Sequence, residues 1–240
     1  PLKIRKKENR GAKVMANVLT PLRYPGGKTK LYKYVSNLIT LNNMTGCTYV
    51  EPFAGGAGLA IKLLLSGIVK NIVLNDIDFA IYSIWDLILN HTDVLCDFID
   101  NVPLNVNEWQ KQRVIYNNQT KYTQIEVGLA AFYLNRTNIS GVLTGGVIGG
   151  LSQNGKYKID ARFNREELIK KVVNIAKHKE CIDLYNWNAV EFILNILPNY
   201  DHCFVYFDPP YVNKAPRLYR DSFTLEDHKY LAEIISACQF

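Results

Sequence analysis

The chain has 240 residues, with 28 lysines and arginines against 22 aspartates and glutamates, so its formal net charge is +6. This length fits one large domain or a core with one sizeable insertion, and the 48% of hydrophobic and 21% of charged residues exclude wholesale disorder. No apolar run approaches the roughly 18 residues that a membrane span needs, and we expect neither a membrane segment nor a secretory signal.

The cysteines and histidines indicate the compartment of the protein and whether it has a metal site. Five cysteines are spread along the chain without a CxxC pair, and four histidines show no ligand spacing. This usage predicts reduced thiols in a cytoplasmic protein without a metal site.

Residues 1–17 contain six basic residues and one acidic residue, a local charge of +5 that leaves +1 for the other 223 residues. We interpret residues 1–17 as a basic flexible tail, either an arm or a segment upstream of a natural start at Met15.

A strand–loop–helix–strand unit is the first clear pattern. Residues 48–53 predict a strand, the glycine-rich residues 54–58 a loop, residues 59–65 an apolar helix and residues 71–74 a second strand. The second strand runs into Asp76. This order is typical of the βαβ half of a nucleotide-binding sheet.

The glycine loop and the acidic strand end suggest a ligand with a ribose. Gly55, Gly56 and Gly58 let a backbone approach a ligand closely, and Asp76 stands where an acidic side chain accepts hydrogen bonds from ribose hydroxyls. A phosphate-binding P-loop is excluded, because Leu22 stands where its first glycine is required. A dinucleotide enzyme would also explain these residues.

The pattern changes between residues 79 and 165. Helices are predicted at residues 79–90, 92–101, 107–117 and 123–136, followed by a glycine-rich polar segment at 140–158. Asn154 and Gly155 form a dipeptide that favours a β-hairpin turn. We interpret residues 79–165 as a mainly helical subdomain inserted between two parts of one domain, residues 18–78 and 166–240.

The sheet pattern then returns. A helix is predicted near residues 165–178, and strands at 181–185 and 203–207. Thr224 and Asp227 have the spacing of a capping box for a last helix at about 225–237.

The strongest chemical signal is Asp208-Pro209-Pro210-Tyr211, directly after the fourth strand. Open α/β sheets bind ligands at the carboxyl ends of their strands. The two prolines fix φ and donate no backbone hydrogen bond, so the Pro209 carbonyl is held beside the Asp208 carboxylate. These two acceptors suit the two N–H groups of an exocyclic amine, and Tyr211 offers a face for a flat base. A turn that merely closes the strand is the alternative; a dinucleotide enzyme would leave this segment unexplained.

These segments, in this order, resemble the motifs of Dam-like adenine-specific DNA methyltransferases, which use S-adenosylmethionine. The similar segments are residues 23–28, 49–58, 74–78 and 207–211, with residues 132–140 and 155–163 similar to the family's target-recognition region. The resemblance implies an α/β fold with a Rossmann-like methyltransferase sheet and an inserted target-recognition subdomain. The family normally continues with further strands after the fourth, so we expect the C-terminal strands to be missing here.

The resemblance also implies roles for single residues. Tyr24 and Lys28 would flank the methionine part of S-adenosyl-L-methionine. Phe53 and Gly55 would cradle it with their backbone, and Asp76 would bind its ribose. Asp208 would contact the cofactor and, with Pro209, Pro210 and Tyr211, form the catalytic segment. Residues 186–188 fall where the family contacts the adenine ring of the cofactor, although Trp187 is equally explained as core.

Double-stranded DNA is the implied substrate, with its target adenine flipped out of the duplex. Cations and amides in the insertion would bind phosphates and bases: Arg136, Asn138, Ser140, Lys156, Lys158, Arg162 and Arg165. Arg136 and Asn138 are favoured because they lie in the family-like stretch, and Lys214, Arg217 and Arg220 would hold the backbone beside the flipped base. The resulting hypothesis is methylation of the adenine amine, beside a restriction endonuclease or alone. Methylation of the cytosine amine and an inactive protein that binds cofactor and DNA are the alternatives.

Overall fold

The computed structural model describes residues 19–24, 27–211 and 224–238. The predicted basic tail at residues 1–17 and the candidate cations Lys214, Arg217 and Arg220 lie outside the described residues. No helix in the described ranges is both long enough and apolar enough to cross a membrane.

The centre of the fold is a parallel sheet of four strands in the order β3-β2-β1-β4. Its strands are β1 (Thr48–Glu51), β2 (Asn71–Asn75), β3 (Ile182–Tyr185) and β4 (Cys203–Val205). All four lie where the sequence predicts them, and the α/β class is confirmed. The chain proceeds from β1 outward to β3 and then returns to the other side of β1 for β4. Such a reversal leaves a crevice at the carboxyl ends of β1 and β4, which is where open sheets bind ligands.

Alternation along the strands explains why the sheet is buried on both faces. Tyr49 and Ile72 belong to one apolar cluster, whereas their neighbours Val50 and Val73 belong to a second. Successive side chains of a strand point to opposite faces, so each strand contributes to both clusters. Burial on both faces is typical of parallel sheets covered by helices.

Helices surround this sheet. The structure has α1 (Tyr32–Leu41), α2 (Gly58–Leu65), α3 (Phe79–Asn90), α4 (Thr92–Asn101), α5 (Val106–Asn117), α6 (Gln124–Thr137), α7 (Arg165–Ala176), α8 (Ala189–Asn195) and α9 (Leu225–Ala237). The helices predicted from the sequence are all present, whereas α1 and α8 lacked a sequence prediction. The predicted capping box is confirmed, because Thr224 and Asp227 exchange side-chain and backbone hydrogen bonds at the start of α9.

The segment interpreted as an insertion shares its core with the sheet. Trp85 of α3 and Phe132 of α6 lie in the same buried cluster as Tyr49 of β1. In addition, the Trp85 indole N–H donates a hydrogen bond of 2.9 Å to the carbonyl of Gly55. The glycine loop after β1 is thus fixed partly from α3. The division of the chain at residues 79 and 165 stays a prediction.

The hairpin predicted around Asn154 and Gly155 is wrong. The structure describes no strand at residues 140–158, and its isolated antiparallel bridge joins Asn138 to Val147. Gln153 has φ of +51° there. Left-handed backbone breaks the extended conformation that a paired strand needs, so this segment forms successive turns.

Candidate active site

A cavity of about 1020 Å³ lies at the carboxyl ends of β1, β2 and β4. It is bounded by Glu51 at the end of β1, Asp76 after β2 and Asp208 after β4. The candidate residues that line it include Tyr24, Lys28, Phe53, Asp76, Arg136, Ser140, Arg162, Trp187, Asp208, Pro210 and Tyr211. The structure therefore brings the two separated halves of the predicted site together in one crevice.

Lys28, Asp208 and Tyr211 form a polar cluster inside this cavity. The ammonium Nζ of Lys28 lies 2.8 Å from Asp208 Oδ2 and donates a hydrogen bond of 2.9 Å to the Tyr211 hydroxyl. The Tyr211 hydroxyl donates in turn to Asp208 Oδ1 at 3.3 Å. Burial opposes the charge on Lys28, but its hydrogen bonds and attraction to Asp208 and Tyr211 prevail and raise its pKa. The acceptors after β4 thus hold an amine of the protein itself.

His228 of α9 contacts the predicted catalytic segment, a role that the sequence interpretation did not identify. Its Nε2 lies 3.0 Å from the carbonyl oxygen of Pro210. Because a carbonyl oxygen only accepts, this hydrogen bond forms in the tautomer that carries its proton on Nε2. Proline has no backbone N–H, so its carbonyl is the backbone group that can be held by a hydrogen bond. This contact fixes the segment and does not involve the Asp208 carboxylate. The capping box at Thr224 was the signal available in the sequence, because it predicts where α9 begins and therefore that His228 lies near the start of this helix.

The glycines after β1 make room for protein side chains. A Cβ atom at Gly55 would lie 2.7 Å from the Tyr24 ring, and one at Gly56 would lie 2.7 Å from Tyr24 Cβ. At Gly58 a Cβ atom would lie 2.6 Å from Thr29 Oγ1. Distances this short are not tolerated between non-bonded atoms. The loop therefore needs glycine so that the segment carrying Tyr24 can pack against it and form one wall of the cavity.

Asp76 is fixed by backbone donors and still faces the cavity. Its Oδ2 accepts from the Gly55 N–H at 2.7 Å, and its Oδ1 accepts from the Asp78 N–H at 3.0 Å. Burial, reinforced by the charge of Asp78, raises the pKa of Asp76 to about 7. Each carboxylate oxygen has a second lone pair, so both can accept from a ligand hydroxyl.

Asn75 fixes the backbone of Trp187, a role that the sequence interpretation did not identify. The buried Asn75 amide donates to the carbonyls of Pro52 and Trp187, both at 3.0 Å, and accepts from the Trp187 N–H at 2.9 Å. Trp187 is 40% exposed and lines the cavity. Its interpretation as plain core is therefore wrong. A polar residue at the end of an otherwise apolar strand was the signal available in the sequence.

Glu51 is a third residue whose role the sequence interpretation did not identify. It is buried at the end of β1, where its Oε1 accepts a hydrogen bond of 2.9 Å from the Tyr49 hydroxyl. Burial raises the pKa of Glu51 to about 8, and the negative charge of Asp208 contributes in the same direction. This shift favours the protonated form of Glu51 near neutral pH, which lessens the negative charge beside Asp208.

The two favoured DNA-contact candidates have structural partners instead. The guanidinium of Arg136 donates to the carbonyls of Pro21, at 3.0 Å, and Arg162, at 2.9 Å from Nε. Asn138 is fully buried; its side chain accepts from Trp109 Nε1 at 2.7 Å and donates to two carbonyls of the following turn. These groups are occupied in joining the N-terminal segment, α5 and the loop after α6, so the structure gives both residues a role in the fold.

The remaining candidates are divided between the surface and the fold. Ser140, Lys156, Lys158 and Arg162 are exposed, and Ser140 and Arg162 also line the cavity. Arg165 instead donates to the carbonyls of Ile99 and Val102. The polar side chains of Ser140, Lys156, Lys158 and Arg162 are therefore accessible to a large ligand outside the cavity.

Comparison with known proteins identifies the family. The model of the D12 class N6 adenine-specific DNA methyltransferases matches residues 24–240, and the chain belongs to this family. It is 25% identical over 203 residues to the type II methyltransferase M.MjaIII of Methanocaldococcus jannaschii, covering 79% of this chain and 68% of that protein. It is also 25% identical over 221 residues to the type II methyltransferase M.CviBI of Paramecium bursaria Chlorella virus NC1A, covering 88% of this chain and 76% of that protein.

Proposed function

We propose that this protein transfers a methyl group from S-adenosyl-L-methionine to the exocyclic amine of adenine in double-stranded DNA, within a restriction-modification system. Family membership supports the reaction class. The observation that carries the proposal is the amine of Lys28 held by Asp208 and Tyr211 inside the cavity. The Asp208 carboxylate that accepts a hydrogen bond from this ammonium can equally accept an N–H of the adenine amine.

The residues around the cavity fit S-adenosylmethionine. Asp76 has free lone pairs for the ribose hydroxyls, and the exposed indole of Trp187 offers a flat face for the adenine ring. Tyr24 and Lys28 would flank the methionine part, with the backbone of Phe53 and Gly55 beside them. When bound, the cofactor supplies an electrophilic methyl group on a sulfonium ion.

The catalytic segment would orient and polarise the target amine. The Asp208 carboxylate and the Pro209 carbonyl accept one N–H each, which aims the nitrogen lone pair away from both acceptors. The charge of Asp208 stabilises the positive charge that develops on nitrogen during attack. Tyr211, 48% exposed, would stack on the flipped base, whose extrusion from the duplex costs about a few kcal/mol.

The amine must displace Lys28 from Asp208 before it can react. The ammonium of Lys28, once released from Asp208, would be available to contact the methionine part of the cofactor. Residues 79–165 would supply DNA recognition, with Ser140, Lys156 and Lys158 at its surface, while residues 18–78 and 166–240 bind the cofactor and carry the chemistry.

A methyl-transfer assay with a matched pair of variants tests this function. Unmethylated plasmid DNA is incubated with the chain and S-adenosylmethionine that carries a tritiated methyl group. We expect Asp208→Asn to transfer at least about 100-fold more slowly, because an amide cannot supply the negative charge. Asp201→Asn changes an exposed carboxylate just before β4 and should transfer at the wild-type rate. Wild-type activity in Asp208→Asn, or no transfer by the wild-type chain, would contradict the proposal.

A further inference from the structure

The loop between Val147 and Ile159 is organised around the side chain of Gln153. The two ends of the loop are anchored in the core, because Val147 is 3% and Ile159 is 4% exposed. Between them, Leu151 is 62% and Tyr157 is 60% exposed. The loop therefore displays large apolar side chains to solvent from an anchored base.

Both ends of the Gln153 amide are used within the loop. Its Nε2 donates to the carbonyls of Ile148, at 2.8 Å, and Gly150, at 2.6 Å. Its Oε1 accepts from the N–H of Ile159 at 2.9 Å, and the Lys158 ammonium donates to the Gln153 carbonyl. One side chain thus joins the beginning of the loop to its end.

The backbone is shaped to receive this amide. Gly149 has φ of +86°, and a Cβ atom there would lie 2.7 Å from the Tyr157 carbonyl and 3.1 Å from Gln153 Nε2. Gln153 itself has φ of +51°, a conformation that costs energy for a residue with a side chain. The side-chain hydrogen bonds offset this cost, so the loop conformation depends on the glutamine.

The displayed groups suit a nucleic acid. Lys156 Nζ lies 5.8 Å from the centre of the Tyr157 ring, which places a cation beside an aromatic face. Leu151 adds an aliphatic side chain on the same loop. Aromatic and aliphatic groups contact bases and sugars, and lysines contact phosphates.

We propose that Gln153 is a positioning residue for DNA recognition, which acts by holding the loop that places Tyr157 and Leu151 against the duplex. The inference rests on the proposed function in taking DNA as the ligand. Gln153 acts through these neighbours, since its amide N–H groups and its amide oxygen already have partners inside the loop.

DNA binding by three single variants tests the role. A duplex is first selected from a random-sequence pool by the wild-type chain, and its Kd is then measured by fluorescence anisotropy. We expect Gln153→Ala to raise this Kd roughly tenfold, because two carbonyls and one N–H lose their partner. Gln153→Glu keeps the acceptor and loses both donors, and should weaken binding as well. Asn154→Ala, at the exposed neighbouring position, should leave the Kd within about twofold.

A double variant separates positioning from general damage to the fold. Because Gln153 acts partly through Tyr157, the loss of DNA affinity in Gln153→Ala combined with Tyr157→Ala should be smaller than the sum of the two single losses, as expected for coupled residues. The melting temperature and the Kd for S-adenosylmethionine should stay at wild-type values in every variant. Additive losses, an unchanged DNA Kd in Gln153→Ala, or a parallel loss of cofactor binding would overturn the inference.

The same samples distinguish this inference from the proposed function. A wild-type chain that binds the selected duplex but transfers no methyl group would contradict the proposed activity, and the comparison of Kd values would still decide the role of Gln153. A wild-type chain that selects no duplex would overturn both.

Discussion

The ammonium of Lys28 lies 2.8 Å from the carboxylate of Asp208. Lys28 is the first residue of a short 3-10 helix, Lys28–Leu31. Asp208 is the residue proposed to orient the target amine. Both side chains are partly exposed, at 21% and 28%. Ion pairs with this exposure contribute about 0–1 kcal/mol to stability. The pair therefore has more consequence for ligand binding than for folding.

We expect Lys28→Met to weaken binding of S-adenosylmethionine while changing the stability of the protein very little. The free energy of unfolding should fall by no more than about 1 kcal/mol, because the methionine retains the apolar stem. The Kd for S-adenosylmethionine should rise at least about tenfold, since a charge-assisted hydrogen bond is lost from the cofactor side. Thermal melting and calorimetric titration measure the two quantities, with Lys33→Met, an exposed lysine of α1, as the control. A large loss of stability with unchanged cofactor affinity would refute this assignment.

Glu51 should make the protein less stable as the pH rises. Its pKa is about 8 in the folded protein, against an ordinary value of 4.5. Between these values the folded state binds a proton that the unfolded state has released, so the free energy of unfolding falls with rising pH and levels off above about 8. Asp76, with a pKa of about 7, contributes a similar decline that ends near pH 7.

The variant Glu51→Gln tests this origin of the pH dependence. At pH 5 its stability should lie within roughly 1 kcal/mol of wild type, since both side chains are neutral. At pH 9 it should be more stable than wild type by roughly a few kcal/mol. Chemical denaturation across this range, with the exposed Glu180→Gln as control, checks the prediction. Parallel pH profiles for wild type and Glu51→Gln would show that Glu51 does not titrate as described.

Arg136 should act on stability rather than on phosphate binding. Its burial lowers its pKa to about 10, with the neighbouring charge of Arg23 adding to the effect. Arg136→Met leaves the carbonyls of Pro21 and Arg162 without these donors, so the free energy of unfolding should fall by about 1–3 kcal/mol. The slope of log Kd for DNA against log salt concentration should not change. A flatter slope with wild-type stability would restore the DNA-contact interpretation.

Lys156 should show the opposite behaviour. It is exposed beside Tyr157, so Lys156→Met should leave the melting temperature unchanged. If Lys156 contacts one phosphate, the magnitude of the salt slope should fall by about 0.9. Titrations of the selected duplex at several salt concentrations measure this slope for Lys156→Met and Arg136→Met side by side. An unchanged slope for Lys156→Met would remove this lysine from the DNA interface.

Features set by local sequence were predictable. The strands are short, largely apolar runs followed by polar residues. Asp208 lies three residues after the end of β4, so the parallel pairing of β4 with β1 places it near the glycine loop. Of the helices in residues 79–137, α3 and α4 concentrate their apolar residues on one face, whereas α5 and α6 do so only weakly. Capping residues such as Thr123, whose capping box with Glu126 is present, fix where they begin.

Features that depend on distant partners were not predictable in the same way. Arg136 and Asn138 have the residue types of a DNA contact, but their partners at Pro21 and Trp109 come from other segments. The hairpin prediction failed because a local Asn-Gly signal was overridden by the hydrogen bonds of Gln153. Glu51 was missed because its perturbed protonation arises from burial, which only the packed structure defines.

The central claim concerns which atom receives the methyl group, and nucleoside analysis of the modified DNA tests it most directly. DNA treated with the wild-type chain and S-adenosylmethionine is digested to nucleosides, and the methylated product is identified by mass spectrometry. The account predicts the nucleoside of N6-methyladenine, formed at least about 100-fold more slowly in DNA treated with Asp208→Asn. Methylcytosine as the product would contradict the assignment of adenine, and the absence of any methylated nucleoside would contradict the proposed activity.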